Sequence, residues 1–247
     1  MTVPVLSRRE LEFLLYEWLD VTALAGRARY REHSRETFDG FLQLSADIAI
    51  DQFAPHSKLA DAREPVMRPD GTVEMIPGPA SALASSRRRS ATPALNQIHE
   101  GTHGIQGLDL LGRKVAMEDG AGLRNLADAI RSSAARAEAA GGELPAHGVA
   151  LRSAADRLVG VTGVLWSAGD PALTLANSSV YLEATGHVAV AWMWLEQLLA
   201  ADGKEGGFYN GKRQAGRYFF RHQLPKTAAQ FGLLAALDRT TLDAQPD

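Results

Sequence analysis

The chain has no cysteine among its 247 residues. Disulfides, thiolate zinc sites and thiol nucleophiles are therefore excluded. It also lacks an excess of either charge. Twenty-six Lys and Arg stand against 29 Asp and Glu, a formal net charge of −3, which argues against a general binder of nucleic acid or of a membrane surface. No long uncharged apolar run is present. The most apolar segment, Pro171 to Ala200, is interrupted by Glu183, His187 and Glu196, which predicts a buried helix of a soluble protein rather than a membrane span. The first twenty residues carry acids inside their apolar stretch and no small-residue cleavage site. They do not read as a signal peptide, and a cytoplasmic protein is expected.

What is present is helical. Ser7 and Glu10 form an S-x-x-E box ahead of Leu11, Leu14, Leu15 and Trp18 on one face. A second helix is expected from Ser34 to Phe53, with Phe38, Phe41, Leu42, Ala46, Ala49 and Phe53 as its stripe. Pro65 to Ile76 holds two short β-leaning pieces around Asp70-Gly71, at most a minor hairpin. Residues 77–94 are almost entirely Ala, Ser, Pro, Gly and Arg and read as a linker. Helical spacing then resumes. Ile105, Leu108, Leu111 and Val115 suit one face, and Leu123, Leu126, Ala127 and Ile130 suit another that stops at Gly141-Gly142. Val149, Leu158, Val161 and Leu165 mark the next helix. Asp170-Pro171 is an N-cap and N1 pair for the apolar segment. Phe208 to Leu224 and a last helix through Phe231 and Leu234 complete the chain. The expected fold class is all-α, a helical bundle with an N-terminal helical pair in 1–76, the linker 77–94 and a C-terminal multi-helix domain in 95–247.

One stretch carries chemistry. Ile98 to Gln106 reads I-H-E-G-T-H-G-I-Q, which contains a literal H-E-x-x-H. On a helix, His99 and His103 would lie one turn apart around a zinc with Glu100 as general base, the arrangement of a zinc hydrolase. Gly101 inside the motif and Gly104 after it weaken a helix there, by roughly 0.8–1 kcal/mol each relative to Ala. A third ligand is not supplied, since Gln106 stands where the extended zinc motif has a glycine. Without a metal, the histidines are polar residues at a loop-to-helix junction and Thr102 is an N-cap. Glu100 has no part in such a junction.

The same residues continue as Glu100-Gly101-Thr102-x-Gly104-Ile105-Gln106-x-x-Asp109-Leu110-x-Gly112-Arg113-Lys114. This resembles the E-G-T-x-G-I-Q-x-x-D-L-x-G-R-K signature of flavin-dependent acyl-CoA dehydrogenases, and is most similar to their 3-methylmercaptopropionyl-CoA dehydrogenase-like branch. "LLYEWLDVTAL", "HSRETFDGFLQLSADIAIDQFAPH" and "KLADAREP" resemble that branch's N-terminal helical domain. "YLEATGHVAVAWMWLEQLL", "FYNGKRQAGRYFFRHQLPK" and "LDRTTLD" resemble its C-terminal part.

The resemblance implies an FAD-dependent oxidoreductase of fatty acid metabolism. Glu100 would take the α-proton of an acyl-CoA thioester while a hydride leaves the β-carbon for the flavin, whose electrons pass to an acceptor. The backbone N–H of the same glutamate would bond the thioester oxygen. Gly101 and Thr102 would lie along the cofactor. It further implies a homo-oligomer, a homodimer built on the C-terminal domain, and no resident metal. The chain departs from the family in two places. His99 stands where the family usually has tyrosine, and residues 77–94 stand where it has its middle β-barrel domain. An internally truncated acyl-CoA dehydrogenase is therefore expected. The alternatives are a non-catalytic helical interaction protein and the zinc hydrolase of His99, Glu100 and His103.

Overall fold

The computed structural model describes residues 7–55, 62–63, 66–70, 73–74 and 102–243. The chain divides into two compact units, Met1–Glu100 and Gly101–Asp247. As expected the fold is all-α, with one two-stranded hairpin. The linker residues 77–94 lie outside the described residues.

In the first unit, Ser7 caps α1 (Arg8–Glu12) by accepting from the backbone N–H of Glu10. The helix runs on as a π-helical turn, Phe13–Trp18. The wider turn changes which side chain faces inward. Phe13 is fully buried, whereas Leu11, Leu14, Leu15 and Trp18 are only half-buried. The second helix, α2 (Arg35–Ile48, continued by a π turn Ala49–Phe53), starts at the expected Ser34. The Ser34 hydroxyl accepts from the Thr37 amide, and the Thr37 hydroxyl accepts from the Ser34 amide. His33 lies just before this cap and stacks on Phe38, ring centres 5.8 Å apart, which fixes how the chain enters the helix. Asp39 ties the pair together: it accepts from Arg8 at 2.9 Å and from the Tyr16 hydroxyl at 2.8 Å, with Arg35 over the Tyr16 ring. Burial, and then the bond to Asp39, push the Tyr16 phenol above its usual range. Phe41, placed in the α2 stripe by its spacing, is 51% exposed, and Ile48 is the buried residue instead. The hairpin pairs β1 (Val66–Met67) with β2 (Val73–Glu74) antiparallel, Val66 opposite Glu74.

The second unit opens with α3 (His103–Asp109), extended by the π turn Leu110–Lys114. A left-handed turn follows: Glu118, Asp119 and Gly120 have φ of 50°, 53° and 83°. Left-handed backbone costs an L-residue about 1–2 kcal/mol, and Arg124 helps hold this turn by donating to the Asp119 carbonyl. Then come α4 (Ala121–Glu138), α5 (Leu144–Ser167), α6 (Pro171–Leu175), α7 (Ser178–Ala200), α8 (Gly207–Tyr218), α9 (Thr227–Ala235) and α10 (Thr240–Asp243). A π turn, Phe219–Gln223, and a short 3-10 turn, Leu224–Lys226, join α8 to α9.

The core of this unit is set by spacing. The fully buried residues of α7 are Tyr181, Ala184, Val188, Ala191, Leu195 and Leu198, alternating steps of three and four. Those of α5 follow the same rhythm through Leu144, Gly148, Leu151, Ala155, Leu158, Thr162 and Leu165, as do Ala127, Ile130, Ala134 and Ala137 of α4. A three-four alternation keeps one stripe of a helix, its seam, facing its neighbours, and α4, α5 and α7 pack on one another. Where the seam is glycine or alanine, the backbones approach closely. A Cβ on Gly148 would stand 2.8 Å from the Ala134 carbonyl oxygen and 3.1 Å from Glu138 Cγ. Among the described residues no helix is long and apolar enough to cross a membrane.

This close approach is testable. Replacing Gly148 with alanine drives a Cβ into the α4 backbone and is expected to lower stability by about 1–3 kcal/mol. Gly160→Ala on the same helix meets nothing within 4 Å and is expected to raise it by about 0.5–1 kcal/mol. Urea unfolding of the two variants checks the opposite signs.

Candidate active site

The candidate residues are Glu100, Gly101 and Thr102. Glu100 and Gly101, together with His99, lie outside the described residues, and the structure takes up the motif at Thr102. Thr102 is the N-cap residue of α3, in keeping with its sequence position, but its hydroxyl makes no cap bond. His103 is the first helical residue and is exposed.

What holds this end of the motif is the residue at an unspecified position of the pattern, Gly107. It is buried on the start of α7: a Cβ there would stand 2.6 Å from the Ser178 carbonyl oxygen and 3.0 Å from the Ser179 nitrogen. α3 therefore sits backbone against backbone on α7. Further along, a Cβ on Gly112 would stand 3.3 Å from Leu175 of α6. Leu111 is fully buried and Val115 is 8% exposed, so the inward face runs Gly107, Leu111, Val115. Ile105 and Leu108, expected on that face, are 65% and 47% exposed.

The seat itself is fixed. Asp170 caps α6 by accepting from the amides of Ala172 and Leu173, as the Asp170-Pro171 pair predicts. The apolar segment is not one helix, however, since it breaks at Ala176-Asn177 before α7 begins. Both residues at the break are tied down. Asn177 donates to the Asp238 carbonyl at 2.8 Å, and the Thr241 hydroxyl donates to the Ala176 carbonyl at 3.1 Å. One turn into α7, the buried Tyr181 hydroxyl meets the Thr162 hydroxyl of α5 at 2.7 Å.

On the outer side of α3, the motif's Asp109 and Arg113 pair at 2.6 Å. Their hydrogen bond holds the Asp109 carboxyl below its usual range and the Arg113 guanidinium above its own. Arg113 is thus engaged within its own helix.

The match to a known family falls on this unit. Residues 126–245 match the family model described as "Acetyl-CoA dehydrogenase C-terminal like". The C-terminal unit thus resembles the C-terminal domain of acyl-CoA dehydrogenases. A curated 3-methylmercaptopropionyl-CoA dehydrogenase of Ruegeria pomeroyi is 33% identical over 147 residues, covering 54% of this chain and 24% of that protein. The chain thus spans about a quarter of the length of the curated relative it matches. The family match begins within α4, downstream of the motif helix.

Sequence reasoning missed Gly107, because the resemblance placed no requirement there. The available signal was local: Gly104, Gly107 and Gly112 recur within one short helical stretch, and glycines so placed mark close backbone contact. Gly107→Ala is expected to destabilise the α3 seat by about 1–3 kcal/mol and to speed amide hydrogen exchange in residues 103–115 while α4 and α5 remain protected. Gly104→Ala, with nothing within 4 Å, is the control, and equal exchange in the two variants would contradict the seat.

Proposed function

We propose that this chain is an acyl-CoA dehydrogenase-type flavin oxidoreductase in which Glu100 is the base for the α-proton of an acyl-CoA thioester. The motif Glu100 to Lys114 supports the reading, and the observation that carries it furthest is the α3 seat. The part of the motif that can be described is built into the unit that resembles the family's C-terminal domain, by the backbone contact of Gly107 with Ser178.

The residues next to Glu100 fit a flavin. Gly104 has no atom within 4 Å of where a Cβ would stand, and Ile105 and Leu108 turn outward. The Thr102 hydroxyl beside them is unused in capping. Gly101 and Thr102 would hold the cofactor there. A bound flavin supplies the hydride acceptor for the β-carbon. The chain's own contribution is the proton chemistry. Glu100 takes the proton on its carboxylate as the thioester oxygen gains charge, and the backbone N–H of Glu100 stabilises that oxygen. Both parts come from one residue, and α3, which follows Thr102 in the chain, would anchor it.

In this reading the partners are an acyl-CoA and an electron acceptor, and the chain assembles as a homodimer. The domain organisation 1–76, 77–94 and 95–247 places the linker where the family has its middle β-barrel domain, as in an internally truncated member.

The purified chain is expected to show visible flavin absorbance and to reduce an artificial acceptor on addition of acyl-CoA. Glu100→Gln should keep the flavin and lower the rate by about 10²–10⁴-fold. Colourless protein that reduces no acceptor would overturn the assignment. Light scattering should give a dimer, and a monodisperse monomer would remove that part of it.

A further inference from the structure

At the far end of α7 from the α3 seat lies an open cleft of about 490 Å³. It is lined by the turn between α4 and α5, by His147 of α5, by the end of α7 and by Arg213 and Arg217 of α8. Glu143, in that turn, bridges to α8: its Oε2 accepts from Nε of Arg217 at 2.8 Å and forms an ion pair with Nη2 at 2.8 Å. Arg213 is committed elsewhere. It donates to the carbonyls of Ala201 and Lys204 at 3.1 and 3.0 Å and to Asn210 at 2.7 Å.

His147 stands one helical turn after Glu143, its amide bonded to the Glu143 carbonyl at 3.3 Å. Its ring is half-buried and lies on the Phe220 ring, centres 4.4 Å apart and planes 17° apart. Phe220 belongs to the π turn that succeeds α8 in the chain. The imidazole makes no hydrogen bond among the described residues. An uncharged, unbonded imidazole therefore sits one turn from a carboxylate that is held by a different cation.

We propose that Glu143 is exchanged between two cations: a proton on His147 draws Glu143 from Arg217 to the imidazolium, and so releases α8 from the turn between α4 and α5. Acid at position i and cation at i+4 is the favourable order on a helix. The imidazolium also keeps its place over Phe220, where a ring face attracts a cation. Glu143 itself stays at the N-terminus of α5, where the helix dipole favours its charge. The Glu143–Arg217 bridge is half exposed on both sides, and bridges of this kind are weak, so one proton suffices to reverse the preference.

The charged groups that share the cleft with His147 are Glu143 from the turn, Asp202 from the end of α7, and Arg213 and Arg217 from α8. Of these, Glu143 favours the proton and Arg217 opposes it. Burial holds the imidazole below the ordinary histidine range; Glu143 acts against that shift and Arg217 with it. The folded protein therefore binds this proton less readily than the unfolded chain does. The stability contributed is present above the ordinary histidine pKa of about 6.5 and is lost as pH falls through the folded value.

The test uses the full chain and NMR of the His147 ring and the Arg217 Nε–H across pH 8 to 5. The Arg217 resonance is expected to move with the same midpoint as His147, with loss of its bridged position. His147→Gln should abolish that movement, and His147→Phe, which keeps the stack, serves if the first variant does not fold. Glu143→Gln should lower the His147 midpoint, and melting temperature should fall through that midpoint in the wild type and stay level in His147→Phe. An Arg217 resonance that does not move, or that moves unchanged in both His147 variants, overturns the proposal.

Discussion

The C-terminal unit rests on one constraint: α4, α5 and α7 must approach closely enough for small residues to meet. Ala127, Ala134 and Ala137 on α4, Gly148 and Ala155 on α5, and Ala184 and Ala191 on α7 all fall in the three-four seam. Larger residues in the same seams, Leu151, Leu158, Tyr181, Val188 and Leu195, then fill the space between. Burying a leucine or valine fully is worth about 1.5–3 kcal/mol, but only if the backbones are near enough to leave no void. A bulky residue at Gly148 would therefore cost more than its own contact, because it would part the helices along which the others pack. The outer elements inherit this geometry. α9 lies against both α5 and α7, and α3 lies on α7.

Several polar groups inside the bundle pair across its helices. Trp192 donates to Ser133 at 2.8 Å, Ser133 also bonds Glu196, and Arg136 closes the set from α4 onto Glu196 of α7. Lys212, 7% exposed, reaches Gln197 at 2.7 Å and lies beside the rings of Trp194 and Phe208. A cation taken out of water needs both a bonded acceptor and a polarisable surround, and α8 is held to α7 by supplying one. The two ends of α7 thus differ in kind. Its start is fixed by backbone contact with α3, and its end by charged side chains of α8.

Much of this architecture was legible. Ser34 and the Asp170-Pro171 pair each announce themselves through local chemistry that does not depend on the rest of the fold. Helix faces were less legible. Phe13 is buried instead of its leucine neighbours, and Gly107 faces inward instead of Ile105 and Leu108. Val149 is a simpler miss, since it is 54% exposed on α5, one position after the seam residue Gly148. In each glycine case a hydrophobic scale looks for the largest apolar side chain, whereas the packing required the smallest.

The site divides in the same way. Its proposed chemistry rests on the resemblance of Glu100, Gly101 and Thr102, with the patterned residues up to Lys114, to the acyl-CoA dehydrogenase signature. Its support was not legible, because Gly107 acts through the absence of a side chain. Under the proposed reading this support has a consequence for the reaction. The carboxylate that would take the α-proton and the N–H that would stabilise the thioester oxygen belong to one residue, and the helix that follows it in the chain, α3, is seated on the start of α7 by the backbone contact of Gly107 with Ser178.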